Sequence, residues 1–191
     1  MINQKEIFKI ALNLVVIYLV GGFILVSAYA FTKPIIDKND AAKKIIVLKA
    51  MIPGAEKVEL IGKWDICDRK ADYFKVSKNS GELCGYVIES YGKGYSSFIH
   101  TLLAVDSSIK VTNITILAHA ETPGLGDAVT APEWQKQFFG KSTANMQLVK
   151  TNGTDKIQAI SGATISSRAV VNAQRDALTF LSKELKKQVN L

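Results

Sequence analysis

The longest apolar stretch of the chain lies close to its N-terminus. Residues 10–31 read IALNLVVIYLVGGFILVSAYAF and contain no Asp, Glu, Lys or Arg. At a rise of about 1.5 Å per residue, a helix of this length crosses the roughly 30 Å hydrocarbon core of a bilayer. The run is apolar on every side, and it is longer than the about 7–15 apolar residues of a signal peptide. We therefore predict an uncleaved transmembrane helix over residues 10–31, preceded by a short N-terminal tail over residues 1–9.

After the apolar run, the hydrophobic positions follow the shorter patterns of a mixed α+β fold. Pro34 is expected to end the first helix, because proline cannot donate the next helical hydrogen bond. A separate helix is then expected over residues 41–51, with Asp40 as its N-cap. Apolar segments bounded by turn residues predict strands over residues 58–61, 71–76, 82–91, 98–105 and 110–117. These strands predict an antiparallel sheet.

Helical spacing returns in the last third of the chain. Pro132 suits the first turn of a short helix that runs through Phe139. A turn at Asn152-Gly153 and an extended segment over residues 157–160 then lead to a long helix that is expected to end near Lys187. The apolar stripe of this helix has helical spacing and comprises Val171, Ala173, Ala177, Leu178, Leu181 and Leu185.

Charge and cysteine content narrow the range of functions. The chain carries 24 Lys and Arg against 17 Asp and Glu, but the basic residues are scattered, whereas nucleic-acid binding needs them on one face. Cys67 and Cys84 form no CxxC pair, so a zinc or redox motif is not indicated, although they could form one disulfide in an oxidising compartment. His100 and His119 are the only histidines. We therefore expect no nucleic-acid partner and no metal site.

Three segments carry residues suited to binding a ligand. The first is Ser161–Ser167, where hydroxyl groups and a glycine surround a helix start whose N–H groups can bind an anion such as phosphate. Alternatively, Thr164 or Ser166 only caps that helix. The second is Glu121–Asp127, whose glycines and proline either let backbone N–H groups approach a flat ligand or form a plain surface loop. The third, Gly92–Ser97, is a weaker candidate for a further wall.

These segments occur together in one known family. The chain resembles the FMN-binding subunits of the Rnf electron-transport complex and of the related sodium-pumping NADH:quinone oxidoreductase. The resemblance rests on a single N-terminal span, a Glu-Thr-Pro-Gly-Leu-Gly loop at residues 121–126, and a Ser/Thr-Gly-Ala-Thr motif at residues 161–164 before a C-terminal helix. The compact length is more similar to the G subunit of Rnf. Gln158 stands where the family usually has an acidic residue ahead of the second motif.

The resemblance implies a covalently bound FMN. In this family a separate flavin transferase joins the FMN phosphate to the last threonine of the second motif, here Thr164, as a phosphoester. The isoalloxazine would extend towards the loop at residues 121–126. The expected cofactor-binding residues are Thr164, Ser161, Gly162, Ala163, Glu121, Thr122, Gly124, Leu125 and Gly126. No catalytic side chain is expected, because the cofactor supplies the redox chemistry.

The same resemblance implies an organisation and a function. Residues 32–54 would form a linker and helix, and residues 55–191 the FMN-binding domain. The chain would be an electron-relay subunit, not catalytic alone, of a membrane-bound, ion-translocating ferredoxin:NAD oxidoreductase. It would lie in the bacterial inner or plasma membrane with its FMN domain outside the cytoplasm, beside other integral-membrane subunits. The alternatives are the FMN subunit of the related quinone reductase, and a membrane-anchored non-redox protein that binds an anion or another ligand.

Overall fold

Two compact units make up the structure, which is a computed structural model. The described residues are 4–54, 56–151 and 155–189. The first unit covers Met1–Ile45 and the second covers Ile46–Leu191. The turn that the sequence predicts at Asn152-Gly153 lies outside the described residues.

The first helix, α1, spans Gln4–Met51 and continues through Pro34. The expected helix end at this proline, and the expected start of a new helix after Asp40, are therefore wrong. Proline removes only one main-chain donor from a helix, and apolar membrane-type helices tolerate that loss. The hydroxyl of Thr32, in the preceding turn, adds a hydrogen bond to the Ala28 carbonyl oxygen at 2.7 Å.

The surface of α1 is apolar over most of its length. The segment Lys5–Ile36 has a mean hydropathy of 2.4 in its most apolar window, and no part of that window is buried. It is long and apolar enough to cross a membrane, and it is the one such helix among the described residues. Large side chains such as Tyr18, Phe23 and Phe31 are exposed. The segment Lys5–Ile36 is thus not packed as a helix of a soluble core would be.

A five-stranded antiparallel sheet forms the centre of the second unit, with its strands in chain order. The strands are β1 (Lys57–Ile66), β2 (Arg69–Ser77), β3 (Leu83–Lys93), β4 (Phe98–Val105) and β5 (Val111–Ala118). The predicted antiparallel α+β fold is confirmed, and the last four strands agree closely with the sequence pattern.

The first strand is longer than the sequence pattern indicated. Ile66 pairs with Arg69, so β1 and β2 are joined by a two-residue turn at Cys67 and Asp68. Both turn residues have positive φ, at 51° and 57°, as a tight hairpin turn of this kind requires. Because such turns usually contain Gly or Asn, the cysteine here gave no turn signal.

Shorter elements and a long helix follow the sheet. A 3-10 turn over Gly126–Thr130 leads to α2 (Pro132–Gln135) and a second 3-10 turn over Lys136–Phe138, in place of the single predicted helix through Phe139. Strands β6 (Leu148–Val149) and β7 (Ile157–Gln158) pair in parallel. The last helix, α3, spans Thr164–Val189, as expected from its apolar stripe.

The main core lies between α3 and one face of the sheet. The predicted stripe of α3 is buried there, with Leu185 partly buried at its end. Gly92 lies where β3 meets the helix, and a Cβ at this position would come within 2.3 Å of the Ala169 carbonyl oxygen. Only glycine permits such an approach. The contact fixes the first turns of α3 beside the end of β3.

A second, smaller core lies on the opposite face of the sheet, since successive side chains of a strand alternate between faces. Its members are Leu48, Met51, Ile52, Phe74, Val76, Val87, Leu102 and Ala104. The second compact unit therefore includes the end of α1, which is part of the linker and helix expected over residues 32–54.

Candidate functional site

The three segments that the sequence indicates as candidates for ligand binding meet at one cleft. Its volume is about 500 Å³, within the range of about 300–1,000 Å³ that is usual for small-molecule and cofactor sites. The lining residues are Tyr95, Glu121, Thr122, Leu125, Gly126, Gly162, Ala163, Thr164, Ile165 and Ser166. The turn after β3, the loop after β5 and the start of α3 each form one wall.

The carboxylate of Glu121 joins these three walls. It accepts hydrogen bonds from the backbone N–H groups of Tyr95 at 3.1 Å and Ser96 at 3.0 Å, and a longer one from Ser97 at 3.4 Å. The Ser166 hydroxyl, in the first turn of α3, donates to Oε2, which also accepts from Tyr95, whereas Ser96 and Ser97 donate to Oε1. Glu121 is only 5% exposed. These partners give the buried carboxylate hydrogen bonds on both oxygens.

The surroundings of Glu121 favour its ionised form. Burial raises the pKa of the carboxyl group, but the hydrogen bonds from Ser166 and from the backbone of Tyr95, Ser96 and Ser97 lower it. The net result is a pKa below the ordinary value of 4.5. A carboxylate that accepts several N–H and O–H donors is stabilised in this way. Glu121 therefore carries a negative charge in the wall of the cleft at neutral pH.

Two glycines leave the space that this carboxylate occupies. A Cβ at Gly94 would come within 2.5 Å of a Glu121 carboxylate oxygen, and one at Gly126 within 2.8 Å of Glu121 and of the Ser166 hydroxyl oxygen. Any larger residue at either position would displace the carboxylate. Gly94 and Gly126 are thus explained by contacts within the protein rather than by flexibility.

The hydroxyl groups at the start of α3 have different surroundings. Ser166 donates to Glu121, and Ser167 accepts from the backbone N–H of Ile160 at 3.1 Å and donates to the Ala163 carbonyl at 2.9 Å. Both serines are buried. Thr164 is half-buried, lines the cleft, and makes no side-chain hydrogen bond in the described part of the chain. The alternative interpretation, in which Thr164 or Ser166 only caps the helix, does not match these hydrogen bonds.

The backbone around Thr164 also suits an anion. Because α3 begins at Thr164, the N–H groups of its first turn have no acceptor within the helix, and they point out of its positive end. Gly162 has a positive φ of 77°, a conformation that glycine adopts without strain. A Cβ there would meet Leu125 at 3.3 Å, so this turn lies close to the opposite loop.

The rim of the cleft is apolar and exposed. Tyr95 is 73% exposed, and Leu125 and Ile165 are each 50% exposed, although all three are large hydrophobic side chains. Each belongs to a different wall of the cleft. Flat aromatic ligands bind between such side chains, with a few polar groups fixing their orientation. The cleft therefore combines an apolar rim, a helix start that suits an anion and a hydroxyl group that makes no hydrogen bond among the described residues.

Most of the expected cofactor-binding residues line this cleft. The exceptions are Ser161 and Gly124, which do not contact it. Tyr95, Ile165 and Ser166 line it but were not among the expected residues. Tyr95 belongs to the segment that the sequence indicated as a third wall, whereas Ile165 carried no signal beyond its position next to Thr164.

Three other residues noted in the sequence lie away from the cleft. Cys67 and Cys84 are free thiols, so the disulfide considered from the sequence is not present. The backbone of Gln158 accepts a hydrogen bond from the Trp134 indole at 2.8 Å and donates one to the Gln137 side chain at 2.8 Å. Gln158, which stands where the family usually has an acidic residue, still belongs to the short strand β7 ahead of the second motif.

Comparison with known proteins identifies the domain that contains the cleft. Residues 94–179, which include all three of its walls, match the FMN-binding domain family. The fold and the cleft thus define an FMN-binding domain that follows an apolar N-terminal helix.

The chain is 34% identical to the G subunit of the ion-translocating oxidoreductase complex of Methanosarcina acetivorans, over 96% of this chain and 99% of that protein. It is 31% identical to the G subunit of the Na⁺-translocating ferredoxin:NAD⁺ oxidoreductase complex of Acetobacterium woodii, over 90% of this chain and 89% of that protein. The chain therefore belongs to the G-subunit family of ion-translocating oxidoreductase complexes.

Solved structures support the same fold. The crystal structure of NqrC from Shewanella oneidensis is 35% identical, with a TM-score of 0.51 over 56% of this chain and 54% of that one. The C subunit of the Na⁺-translocating NADH-quinone reductase of Pasteurella multocida is 34% identical, but over only 44% of its length. The nearly complete coverage of the G subunits favours their family over the C subunits of the quinone reductase. Together with the apolar α1, this membership indicates a membrane-anchored protein with an FMN-binding domain.

Proposed function

We propose that this chain is the electron-relay subunit of a membrane-bound, ion-translocating ferredoxin:NAD oxidoreductase, with an FMN held covalently on Thr164. The observation that carries the proposal is the cleft itself, where the loop at residues 121–126 and the helix start at residues 161–166 face each other. When bound, FMN supplies the electron transfer. The side chains of this cleft bind and orient it, and none acts as a catalytic acid or base.

Thr164 is the attachment residue that the surroundings favour. The hydroxyls of Ser166 and Ser167 are buried and already hydrogen-bonded, and Ser161 lies outside the cleft lining. A phosphoester on Thr164 would lie at the positive end of α3, where N–H groups stabilise negative charge. The isoalloxazine would extend between Tyr95, Leu125 and Ile165 on the apolar rim.

The charge of the cleft explains why a covalent bond is useful. None of the lining residues is Lys or Arg, and one of them is the ionised Glu121. The phosphate of a free FMN carries close to two negative charges at neutral pH, and the cleft lining offers it N–H and hydroxyl groups but no cationic side chain. A bond to Thr164 holds the cofactor whatever the strength of that attraction.

The proposed organisation and partners follow from the apolar helix. Residues 10–31 would span the membrane once, and their exposed apolar surface would lie against lipid and other integral-membrane subunits. The FMN domain, proposed to extend over residues 55–191, would lie outside the cytoplasm. There a lost cofactor could not readily be replaced. Ser161 and Gly162 are exposed, so a flavin transferase would have access to the attachment motif.

Intact mass and flavin fluorescence of the denatured chain test the attachment. The full-length protein from its native host should carry one FMN equivalent and give a fluorescent band on a denaturing gel. Thr164→Val should abolish both signals. Ser166→Ala, Ser167→Ala and Ser161→Ala remove the neighbouring hydroxyls and should keep the flavin. A wild-type chain without a mass increment, or a fluorescent Thr164→Val chain, would contradict the proposal.

Labelling of whole cells tests the orientation. Lys75, Lys93 and Lys110 are exposed on the second unit. An amine reagent that cannot cross membranes should label them in intact cells if the domain lies outside the cytoplasm. Labelling only after cell lysis would place the domain in the cytoplasm and contradict this part of the proposal.

A further inference from the structure

Every group that is hydrogen-bonded to the Glu121 carboxylate acts as a donor. Backbone N–H groups of Tyr95, Ser96 and Ser97 point to its carboxylate, and the Ser166 hydroxyl completes the set. An ionised carboxylate is an acceptor on both oxygens, whereas an amide side chain would turn an NH₂ group towards one of these donors. The environment therefore matches a carboxylate and not its neutral isostere.

The contacts of Glu121 also join parts of the chain that are distant in sequence. The turn at residues 94–97 precedes Glu121 by about 25 residues, and Ser166 follows it by 45. Gly94 and Gly126 leave no room for a Cβ beside the carboxylate. The relative position of the three cleft walls is thus fixed by one buried charged group and the donors that surround it.

We propose that Glu121 is a positioning residue for the cofactor: its carboxylate holds the three walls of the cleft together and places a fixed negative charge behind the flavin. This inference rests on the proposed function, because it requires a flavin in the cleft. The family resemblance implies that Glu121 binds the cofactor directly. Its hydrogen bonds within the protein instead assign it to the support of the site.

A fixed charge in the wall changes how readily a flavin accepts electrons. A negative charge nearby opposes the addition of an electron, so its removal makes reduction easier. Glu121→Gln should therefore shift the flavin midpoint potential to more positive values. Ser166→Ala keeps the carboxylate but removes a donor that partly offsets its charge, so the potential should shift in the opposite direction, to more negative values.

Two further variants separate charge from shape. Glu121→Asp keeps the charge, but its shorter side chain cannot reach all of the donors, so it should lower the unfolding temperature with a smaller change in potential than Glu121→Gln. Glu133→Gln removes a carboxylate on α2, where Glu133 pairs with Lys136 at 2.7 Å outside the cleft lining. This matched control should leave both the potential and the unfolding temperature unchanged.

The test uses the full-length flavin-bearing chain in detergent. Spectroelectrochemical titration gives the flavin midpoint potential, and tryptophan fluorescence gives the unfolding temperature, because both tryptophans are buried in the second unit. Opposite shifts of potential in Glu121→Gln and Ser166→Ala would support the proposal. Shifts of the same sign that follow the loss of stability, or a Glu121→Gln chain identical to wild type, would overturn it.

Failure of this inference can be distinguished from failure of the proposed function. If Thr164→Val keeps a covalent flavin, the attachment proposal is wrong, while the potentials of the Glu121 variants can still be measured. If Glu121→Gln folds but carries no flavin, the uncharged side chain does not hold the cleft walls in the position that attachment needs. This result supports the positioning role. The Ser166→Ala potential then decides whether the charge also acts on the flavin.

Discussion

The two main walls of the cleft each carry a polar side chain, but only one of these side chains is buried and hydrogen-bonded. On the loop after β5, Glu121 is buried and surrounded by hydrogen-bond donors from two other segments. On the start of α3, Thr164 lies half-buried at the cleft with no side-chain hydrogen bond in the described part of the chain. Both residues are polar, and both belong to short motifs that the sequence brings to attention.

This difference distinguishes a residue that stabilises the cleft from a residue that is available for a chemical bond to the cofactor. A buried polar group with its hydrogen bonds satisfied stabilises the arrangement of the segments around it. A hydroxyl without such bonds contributes little to stability and is available for a covalent bond. Glu121 should therefore control the shape of the cleft, and Thr164 its loading with cofactor. The following variants test this comparison on flavin-free chains, expressed without a flavin transferase.

The largest effect is expected for Glu121→Ala. Removal of the carboxylate leaves its donors without an acceptor, which should lower the free energy of unfolding by about 3 kcal/mol. Thr164→Val should change it by less than about 0.5 kcal/mol, as is usual for positions without such contacts. Urea unfolding followed by tryptophan fluorescence measures both values. Equal effects of the two substitutions would break the comparison.

The next effect should come from the glycine that borders both Glu121 and Ser166. Gly126→Ala places a Cβ within 2.8 Å of each, and overpacking of this kind costs about 1–3 kcal/mol. Gly124→Ala, on the same loop, meets no atom within 4 Å but has a φ of +75°, so only backbone strain of about 1 kcal/mol is expected. A larger loss of unfolding free energy for Gly124→Ala than for Gly126→Ala, measured by urea unfolding, would contradict this order. Backbone strain, and not crowding of the carboxylate, would then be the larger constraint on this loop.

A smaller effect should separate the serines of the second motif. Ser167→Ala removes the hydroxyl that bonds the Ile160 N–H and the Ala163 carbonyl, at a cost of about 1 kcal/mol. Ser161→Ala removes an exposed hydroxyl and should have almost no effect. Thermal unfolding of the two variants in parallel provides the comparison, and equal melting temperatures would contradict a stabilising role of the Ser167 hydrogen bonds.

The smallest effect is a dependence of stability on pH. Because the pKa of Glu121 is lower in the folded chain than its ordinary value of 4.5, its contribution is fully present above that value and is lost as pH falls through the folded pKa. The stability difference between wild type and Glu121→Gln should therefore shrink in acid. His119, whose Nδ1 accepts the Glu121 N–H at 3.3 Å, and Tyr95 are present in both proteins. A difference that stays constant between about pH 6 and about pH 3 would contradict an ionised Glu121.

Much of the fold could be predicted because its signals are local. The apolar run at residues 10–31, the hairpin strands and the stripe of α3 each depend on a period that neighbouring residues define. Local rules also had local failures. Pro34 lies inside α1, and the turn at Cys67-Asp68 contains no glycine, asparagine or proline to mark it.

The sequence by itself determined the elements, the two cofactor motifs and the family resemblance. Only the tertiary structure decided what each polar group of those motifs does. The bonds of Glu121 join residues 25 and 45 positions away, and the availability of the Thr164 hydroxyl depends on which of its neighbours are already hydrogen-bonded. Such facts depend on long-range packing, which gives no periodic signal along the chain, so a motif can indicate a site but cannot assign the roles within it.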